Sequence, residues 1–191
     1  MRRSCDLASD GVNDPDSLFA QLEADRDRRL PQIARWNPPR SGPSGMRIAT
    51  DGTWFYRGSK IQRPEMVRLF ATVLRRDDDA FVLVTPVERL SIDVEDAPFV
   101  AVDVEARGAG TGQRLAFRTN VGDVVEASAE RPISLRGEGV SLRPYVLVRD
   151  RLEALIARAA YYRLADLTCL GPSGSIGVWS GGAFFPLERA G

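Results

Sequence analysis

A regular alternation of apolar and polar residues across the middle of the chain constrains the fold most. Residues 90–94, 100–104 and 114–118 each place an apolar side chain at every second position, with charged or small residues between them. A period of two is that of a β-strand with one face buried and the other in solvent. The segment from 81 to about 148 is therefore predicted to form antiparallel strands, with the glycine-rich residues 108–112 as a hairpin loop.

Helices are predicted on both sides of this β segment. A short helix near the N-terminus is predicted to begin at Pro15, and Pro64 begins a second one, whose apolar residues recur on one face. The charged residues 75–79 are expected to close that second helix in solvent. Asp150 and Glu153 stand at capping-box spacing and predict a third, long helix. The expected fold class is α+β, with mainly antiparallel sheets and about three helices.

Turn residues divide the chain into three parts. The proline- and glycine-rich residues 37–45 predict a linker, so residues 1–45 are expected to be a mobile N-terminus, a short helix and that linker. A hairpin around Asp51-Gly52 and another around Gly181-Gly182 each carry a tryptophan beside the glycine turn. This echo predicts two halves with a duplicated motif, an N-terminal α+β half at 46–100 and a C-terminal one at 101–187.

The composition excludes several classes of function. The chain has no histidine, which rules out a Ser-His-Asp triad and a histidine zinc site. Its 26 basic and 26 acidic residues cancel, which argues against a broad nucleic-acid surface. It shows no secretory signal and no apolar run long enough for a spanning helix, so we expect a cytoplasmic location without membrane contact.

An ordered set of motifs resembles an uncharacterised bacterial family, domain of unknown function 1285. The resemblance covers roughly residues 33–187. Its motifs include Trp36-Asn37-Pro38-Pro39, residues 46–56 with Asp51-Gly52-Thr53-Trp54, residues 83–88, residues 94–100 and Arg143-Pro144-Tyr145-Val146. It implies a two-part α+β fold with a duplicated motif and a C-terminal half loosely like a pleckstrin-homology barrel. It also implies a signalling-related site for a nucleotide-like molecule between the halves. It supplies no catalytic residues.

Six residues are candidates for binding a ligand. Glu88 follows a proline that breaks a strand, and such breaks often border sites. Asp96 leaves the alternating pattern, where it can cap a turn or accept a hydrogen bond from a ligand. Arg118 and Asn120 end a strand, where an arginine can bind phosphate or carboxylate, or form a structural ion pair. The remaining two are Arg143, on a face with Tyr145 and Arg149 that can add to an anion pocket, and Trp54, which either packs in the core or stacks on a base.

These observations leave three hypotheses open. The first is a non-catalytic ligand-binding or sensory module with a small anionic, nucleotide-like ligand between the halves and no cofactor. The second is a metal-dependent hydrolase that uses carboxylates alone, from Asp93 and Glu95 with Asp103 and Glu105, although these residues equally fit the solvated face of a sheet. The third is a protein-interaction module or an oligomer, because a chain of zero net charge can self-associate.

Overall fold

A computed structural model describes residues 33–137, 142–172 and 174–188 of the chain. It contains two short 3-10 segments, Ile33–Arg35 and Gly110–Gly112. The other elements are strands and α-helices. In chain order these are β1 (Arg40–Ile48), β2 (Trp54–Tyr56), β3 (Ser59–Lys60), α1 (Pro64–Thr72), β4 (Leu74–Asp77), β5 (Ala80–Val84), β6 (Glu88–Val94), β7 (Phe99–Arg107), β8 (Arg114–Thr119), β9 (Val124–Glu126), β10 (Ile133–Arg136), β11 (Arg143–Arg149), β12 (Leu152–Ile156), α2 (Arg158–Ala165), β13 (Cys169–Leu170), β14 (Ile176–Ser180) and β15 (Ala183–Pro186).

The two large sheets have the same topology. The first sheet has the strand order β3-β2-β1-β6-β5-β4, and the second, read in the same sense, is β9-β8-β7-β12-β11-β10. Each sheet therefore consists of two antiparallel three-stranded meanders, and its first and last strands lie side by side as a parallel pair. We call β1–β6 with α1 the first half and β7–β15 with α2 the second half. The fold is α+β with two similar halves.

One hydrophobic core runs through both halves. It contains Trp54 and Phe70 from the first half and Phe99, Phe117 and Leu152 from the second, all almost completely buried. Along β8 the buried residues alternate with exposed ones, as the sequence pattern predicted. Because burial of apolar surface is the main favourable term in folding, the shared core holds the halves together.

Several sequence expectations are confirmed. The turn at Asp51-Gly52 joins β1 to β2, and Gly52 adopts a φ of +80°, a conformation that glycine reaches without steric cost. Pro64 is the first residue of α1, and residues 108–112 connect β7 to β8 as a hairpin loop. The break before Glu88 is the turn between β5 and β6. No helix in the described ranges is long and apolar enough to cross a membrane.

The predicted linker at 37–45 is wrong for residues 40–45, which belong to β1. This strand tolerates Pro43 and Gly45 because its parallel register with β6 shifts between Pro43 and Arg47, and Gly45 adopts a φ of +69° there. The Ser44 hydroxyl donates to the backbone oxygen of Ser91 at 2.7 Å across this irregularity. Strand pairing with a distant segment therefore overrides the local composition.

Two helix expectations are also wrong. Residues 75–77 do not close α1 but lie in β4, which pairs with β5 through a tight turn at Asp78 and Asp79. The long helix predicted from Asp150 is the strand β12 followed by the short α2, because residues 152, 154 and 156 are buried at a period of two. The helix predicted after Pro15 lies outside the described residues.

The duplication exists, but the tryptophan hairpins are not its basis. Trp54 lies on β2 in the first sheet, whereas Trp179 lies on β14 in the small sheet β13-β14-β15. The position in the second sheet that corresponds to the β1–β2 hairpin is occupied by β7 and β8. The repeat is therefore one of strand topology, with the small sheet as an addition to the second half.

Candidate functional site

A first groove, the arginine groove, lies between the halves and has a volume of about 740 Å³. Its lining includes Arg75, Arg76, Asp77 and Arg89 from the first half, Arg151 from the second, and Trp36 from the segment before β1. Strand β4 places Arg75 to Asp77 in a row, and the β11–β12 turn brings Arg151 opposite them. The groove thus depends on both halves for its shape.

Asp77 organises the arginine groove. Its carboxylate accepts two hydrogen bonds from Arg75, at 2.6 and 2.9 Å, and one from Arg89 at 2.7 Å. These bonds, those from Arg75 first, lower the pKa of Asp77 to about 2, so the carboxylate stays ionised at neutral pH. Arg75 also donates to the backbone oxygens of Ile33 and Trp36, at 2.7 and 2.9 Å, and so fixes the segment that carries the indole.

Two other arginines of this groove keep unused donors. Arg89 uses Nε for Asp77, and Arg151 uses one terminal nitrogen for the backbone oxygen of Arg76 at 3.0 Å. Their other guanidinium N–H groups have no hydrogen-bond acceptor among the described residues. Asp78 and Asp150 also line the groove, but both lie on exposed turns with a positive φ. Four arginines against three aspartates give the lining a small positive excess.

A second groove, the lysine groove, lies beside the start of α1 and has a volume of about 320 Å³. It is lined by two of the predicted residues, Trp54 and Asn120, together with Lys60 and Arg68, and no carboxylate belongs to its described lining. The Trp54 ring is only 1% exposed and stacks on Phe70 with 6.2 Å between the ring centroids. Its indole is therefore part of the core, and its face is not available to stack on a ligand.

Asn120 connects the two halves. Its Nδ2 donates to the backbone oxygen of Gly52 at 3.3 Å, and its Oδ1 accepts from the backbone N–H of Val100 at 3.0 Å. The side chain thus holds the β1–β2 turn against the second sheet. Both ends of the amide are used for structure, although the residue remains on the rim of the lysine groove.

Asp96 and Arg143, two further predicted residues, are in contact. Asp96 accepts a hydrogen bond from Arg143 at 2.8 Å and one from the Tyr145 hydroxyl at 2.7 Å. Burial of the phenol, and then its hydrogen bond to Asp96, raise the pKa of Tyr145 to about 12. Arg149, expected on the same face, is separated by a register shift in β11 and bonds instead to Asp123 and to the backbone oxygen of Ala71. Arg149 therefore does not join Arg143 and Tyr145 around Asp96.

Glu88 and Arg118 lie outside both grooves, although Arg118 lines a smaller depression of about 230 Å³ on the second sheet, together with Glu105 and Arg107. Glu88 is 5% exposed on the inner face of β6, and its carboxylate is 4.0 Å from Arg40. Arg118 is on the solvent face of β8, where it lies 3.6 Å from Glu105, and its side chain is 56% exposed. The six predicted residues consequently do not form one site. The structure brings together only the pairs Trp54 with Asn120 and Asp96 with Arg143.

The carboxylates considered for metal binding are divided between the two sheets. Glu95 pairs with Arg47 in the first half, whereas Asp103 pairs with Arg163 and Glu105 with Arg118 in the second. In the described ranges no group of three histidine, cysteine or acidic residues is close enough together to hold a metal ion. This arrangement matches a solvated sheet face with arginine partners.

The comparisons with known proteins all concern one family. The N-terminal domain of DUF1285, a domain of unknown function, matches residues 31–97, and the C-terminal domain of the same family matches residues 98–187. The boundary lies between β6 and β7, so each model covers one of the two similar halves. The family resemblance inferred from the sequence motifs is confirmed.

Two crystal structures of DUF1285 family proteins are similar to this chain. The protein from Silicibacter pomeroyi DSS-3 is 50% identical with a TM-score of 0.82, and the match covers 89% of this chain and 93% of that one. The protein from Shewanella baltica OS155 is 28% identical with a TM-score of 0.53, and the match covers 65% of this chain and 93% of that one. A comparison with functionally curated proteins found no match.

Proposed function

The chain belongs to the DUF1285 family of proteins of unknown function, and we propose that it is a non-catalytic module that binds a small anionic ligand between its halves. The site is the arginine groove. The observation that carries the proposal is that Arg89 from the first half and Arg151 from the second have unused N–H donors on the same open groove. Guanidinium groups bind carboxylates and phosphates with charge-assisted hydrogen bonds.

The groove also supports the nucleotide-like character of the ligand. Its volume of about 740 Å³ falls in the range of sites for small molecules. Trp36 is half-buried in its wall and supplies apolar surface for a ring, while the buried Trp54 does not. Asp78 and Asp150 limit the net positive charge, which suits a ligand with one or two negative charges rather than a polyanion.

A sensory role follows from the position of the groove. Because both halves line it, an occupied groove adds contacts that exist only when Arg89 and Arg151 are correctly placed relative to each other. Ligand binding therefore favours one arrangement of the halves, which is the basis of a population shift. The hydrolase hypothesis has less support, since its carboxylates are separated and paired with arginines.

The proposal is tested by calorimetry with three probes on the full chain. Adenosine 5′-monophosphate carries both a ring and a phosphate, adenosine carries only the ring, and inorganic phosphate only the anion. We expect the monophosphate to bind more tightly than either fragment. Arg151→Ala should weaken the monophosphate at least tenfold, a loss of about 1.4 kcal/mol, the scale of one charge-assisted bond. Trp36→Leu should weaken the monophosphate but not phosphate.

The matched control is Arg118→Ala, which removes an exposed arginine from the solvent face of β8. It should leave the affinity unchanged. The proposal fails if none of the probes binds at millimolar concentration, or if Arg118→Ala weakens binding as much as Arg151→Ala does. Circular dichroism of each variant verifies that the fold is retained.

A further inference from the structure

An uneven distribution of charge marks the surface between β2 and α1. Arg57, Lys60, Arg63 and Arg68 are all exposed, and none of them forms an ion pair within the described ranges. Glu65 is the one acidic residue between positions 57 and 68. A chain whose total charge is zero therefore concentrates unpaired positive charge here, on what we call the basic patch, defined by those four cations.

The lysine groove opens within the basic patch. Lys60 and Arg68 line it, together with the apolar Ile61, Pro64 and Val67 and the polar Thr53, Gln62 and Asn120. Asp51 lies close enough to Lys60 for the two charges to interact, and its carboxylate also accepts a hydrogen bond from the backbone N–H of Thr53 at 2.8 Å. The groove is thus a depression of about 320 Å³ whose described lining holds two cations, both apolar and polar groups, and no carboxylate.

We propose that the basic patch and the lysine groove form a docking site for an acidic peptide segment of a partner protein. The segment would place one apolar side chain in the groove and its carboxylates beside the surrounding arginines and Lys60. Apolar contact at the centre of an interface with charges on the rim is the common anatomy of protein recognition. This site shares no lining residue with the arginine groove, so the two proposals can be tested independently.

The shape of the surface favours a peptide over a membrane. Stable membrane binding usually combines the electrostatic attraction of a basic surface to anionic lipids with apolar side chains that enter the interface. The large apolar residues that are exposed in the described ranges all lie elsewhere: Val87, Val102, Val124, Tyr162, Leu170 and Ile176. The apolar side chains beside the basic patch line a depression, the lysine groove, into which a protruding side chain of the partner can fit.

The test uses fluorescence anisotropy with the full chain and a labelled ten-residue peptide of glutamates with one central leucine. We expect binding at 50 mM NaCl that weakens at 300 mM, because exposed charges are screened. A peptide with serine in place of leucine should bind several-fold more weakly. A peptide with glutamine in place of glutamate should not bind. The double variant Lys60→Glu and Arg68→Glu should weaken the acidic peptide at least tenfold.

A matched double variant, Arg107→Glu and Arg118→Glu, reverses two exposed charges on the second sheet and should keep wild-type affinity. An equal loss of peptide affinity in both double variants would overturn the proposal, because charge reversal anywhere on the surface would then weaken binding. Binding of phosphatidylserine vesicles without binding of the peptide would overturn it in favour of a lipid surface. Indifference to the leucine-to-serine change would overturn the role of the groove. Absence of peptide binding at 50 mM NaCl would reject the docking site altogether.

Discussion

Replacing Asp77 with asparagine should destabilise the protein more than the loss of an ordinary exposed ion pair would, although Asp77 lies next to a surface turn. The carboxylate accepts three hydrogen bonds from Arg75 and Arg89, and Arg75 in turn holds the segment of Trp36. Asparagine keeps the shape of the side chain but loses the charge, and it turns an NH2 group toward a guanidinium. The variant leaves two partly buried cations without their counterion.

Two routes give the same magnitude for this loss. Hydrogen bonds to charged groups contribute about 1.5–3 kcal/mol each, and bonds that share one carboxylate are not additive. The fall in the pKa of Asp77 from 3.8 to about 2 is a second measure of the same stabilisation. At 1.36 kcal/mol for each pKa unit it corresponds to roughly 2–3 kcal/mol. We therefore expect Asp77→Asn to lower the free energy of unfolding by about 2–3 kcal/mol at pH 7.

The pH dependence has a definite sign. The folded-state pKa of Asp77 lies below the ordinary value, so its contribution is complete above about pH 4. It is lost as the pH falls toward 2, where the folded protein also takes up the proton. The difference between the wild type and Asp77→Asn should therefore be constant from pH 5 to 8 and shrink below pH 4.

Urea unfolding, followed by circular dichroism, measures this difference as a change in midpoint at constant slope. The control is Asp79→Asn, because the Asp79 carboxylate is fully exposed and lies 3.8 Å from Arg76. The control should change the stability by less than about 0.5 kcal/mol, the usual value for an exposed ion pair. If both variants lose the same small amount, Asp77 does not organise the groove, and the reasoning is refuted.

Three further predictions concern the contacts that join the halves and the small sheet. Gly52→Ala should lower the melting temperature, because its Cβ would lie 2.5 Å from Asn120 Nδ2 at a φ of +80°; a variant as stable as the wild type in a thermal melt would contradict this. Tyr145→Phe should lower the free energy of unfolding in urea by about 1 kcal/mol, because it loses the hydrogen bond to Asp96. The folded-state pKa of Tyr145 is raised to about 12, so the stability of the wild type should also fall as the pH rises from 10 to 12. Tyr145→Phe should lack that fall. Gly177→Ala should disrupt the small sheet, because its Cβ would collide with the backbone of strand β15, and proteolysis near the C-terminus should reveal it.

Local sequence signals predicted the elements that depend on local causes. The period of two between residues 81 and 148, the Asp51-Gly52 turn and Pro64 at the start of α1 each follow from the residues themselves. The first part of β1, residues 40–45, was missed because its bulge is stabilised by β6, whose Ser91 lies 47 positions beyond Ser44. Strand β12 was missed because its apolar spacing fits a helix as well as a strand, and only burial decides between them.

The arginine groove was missed for a similar reason. Its residues come from four separate places in the chain, at Trp36, Arg75, Arg89 and Arg151, and no spacing connects them. The charged residues 75–79 read as a solvated end of a helix. Three consecutive aspartates, Asp77 to Asp79, before the apolar residues 80–84 were the available signal for a turn, and a turn there would have placed Arg75 on a strand.

The parallel pair at the centre of each sheet has a consequence for how the chain acquires its fold. In both sheets the first strand is paired with the last, across roughly fifty residues of intervening sequence, so the decisive contacts are non-local. Neither β1 nor β7 can complete its pairing until the ribosome has released its parallel partner, β6 or β12. During synthesis β1 therefore waits with one side unpaired until β6 emerges, and each sheet closes late, in a step limited by the entropy of loop closure.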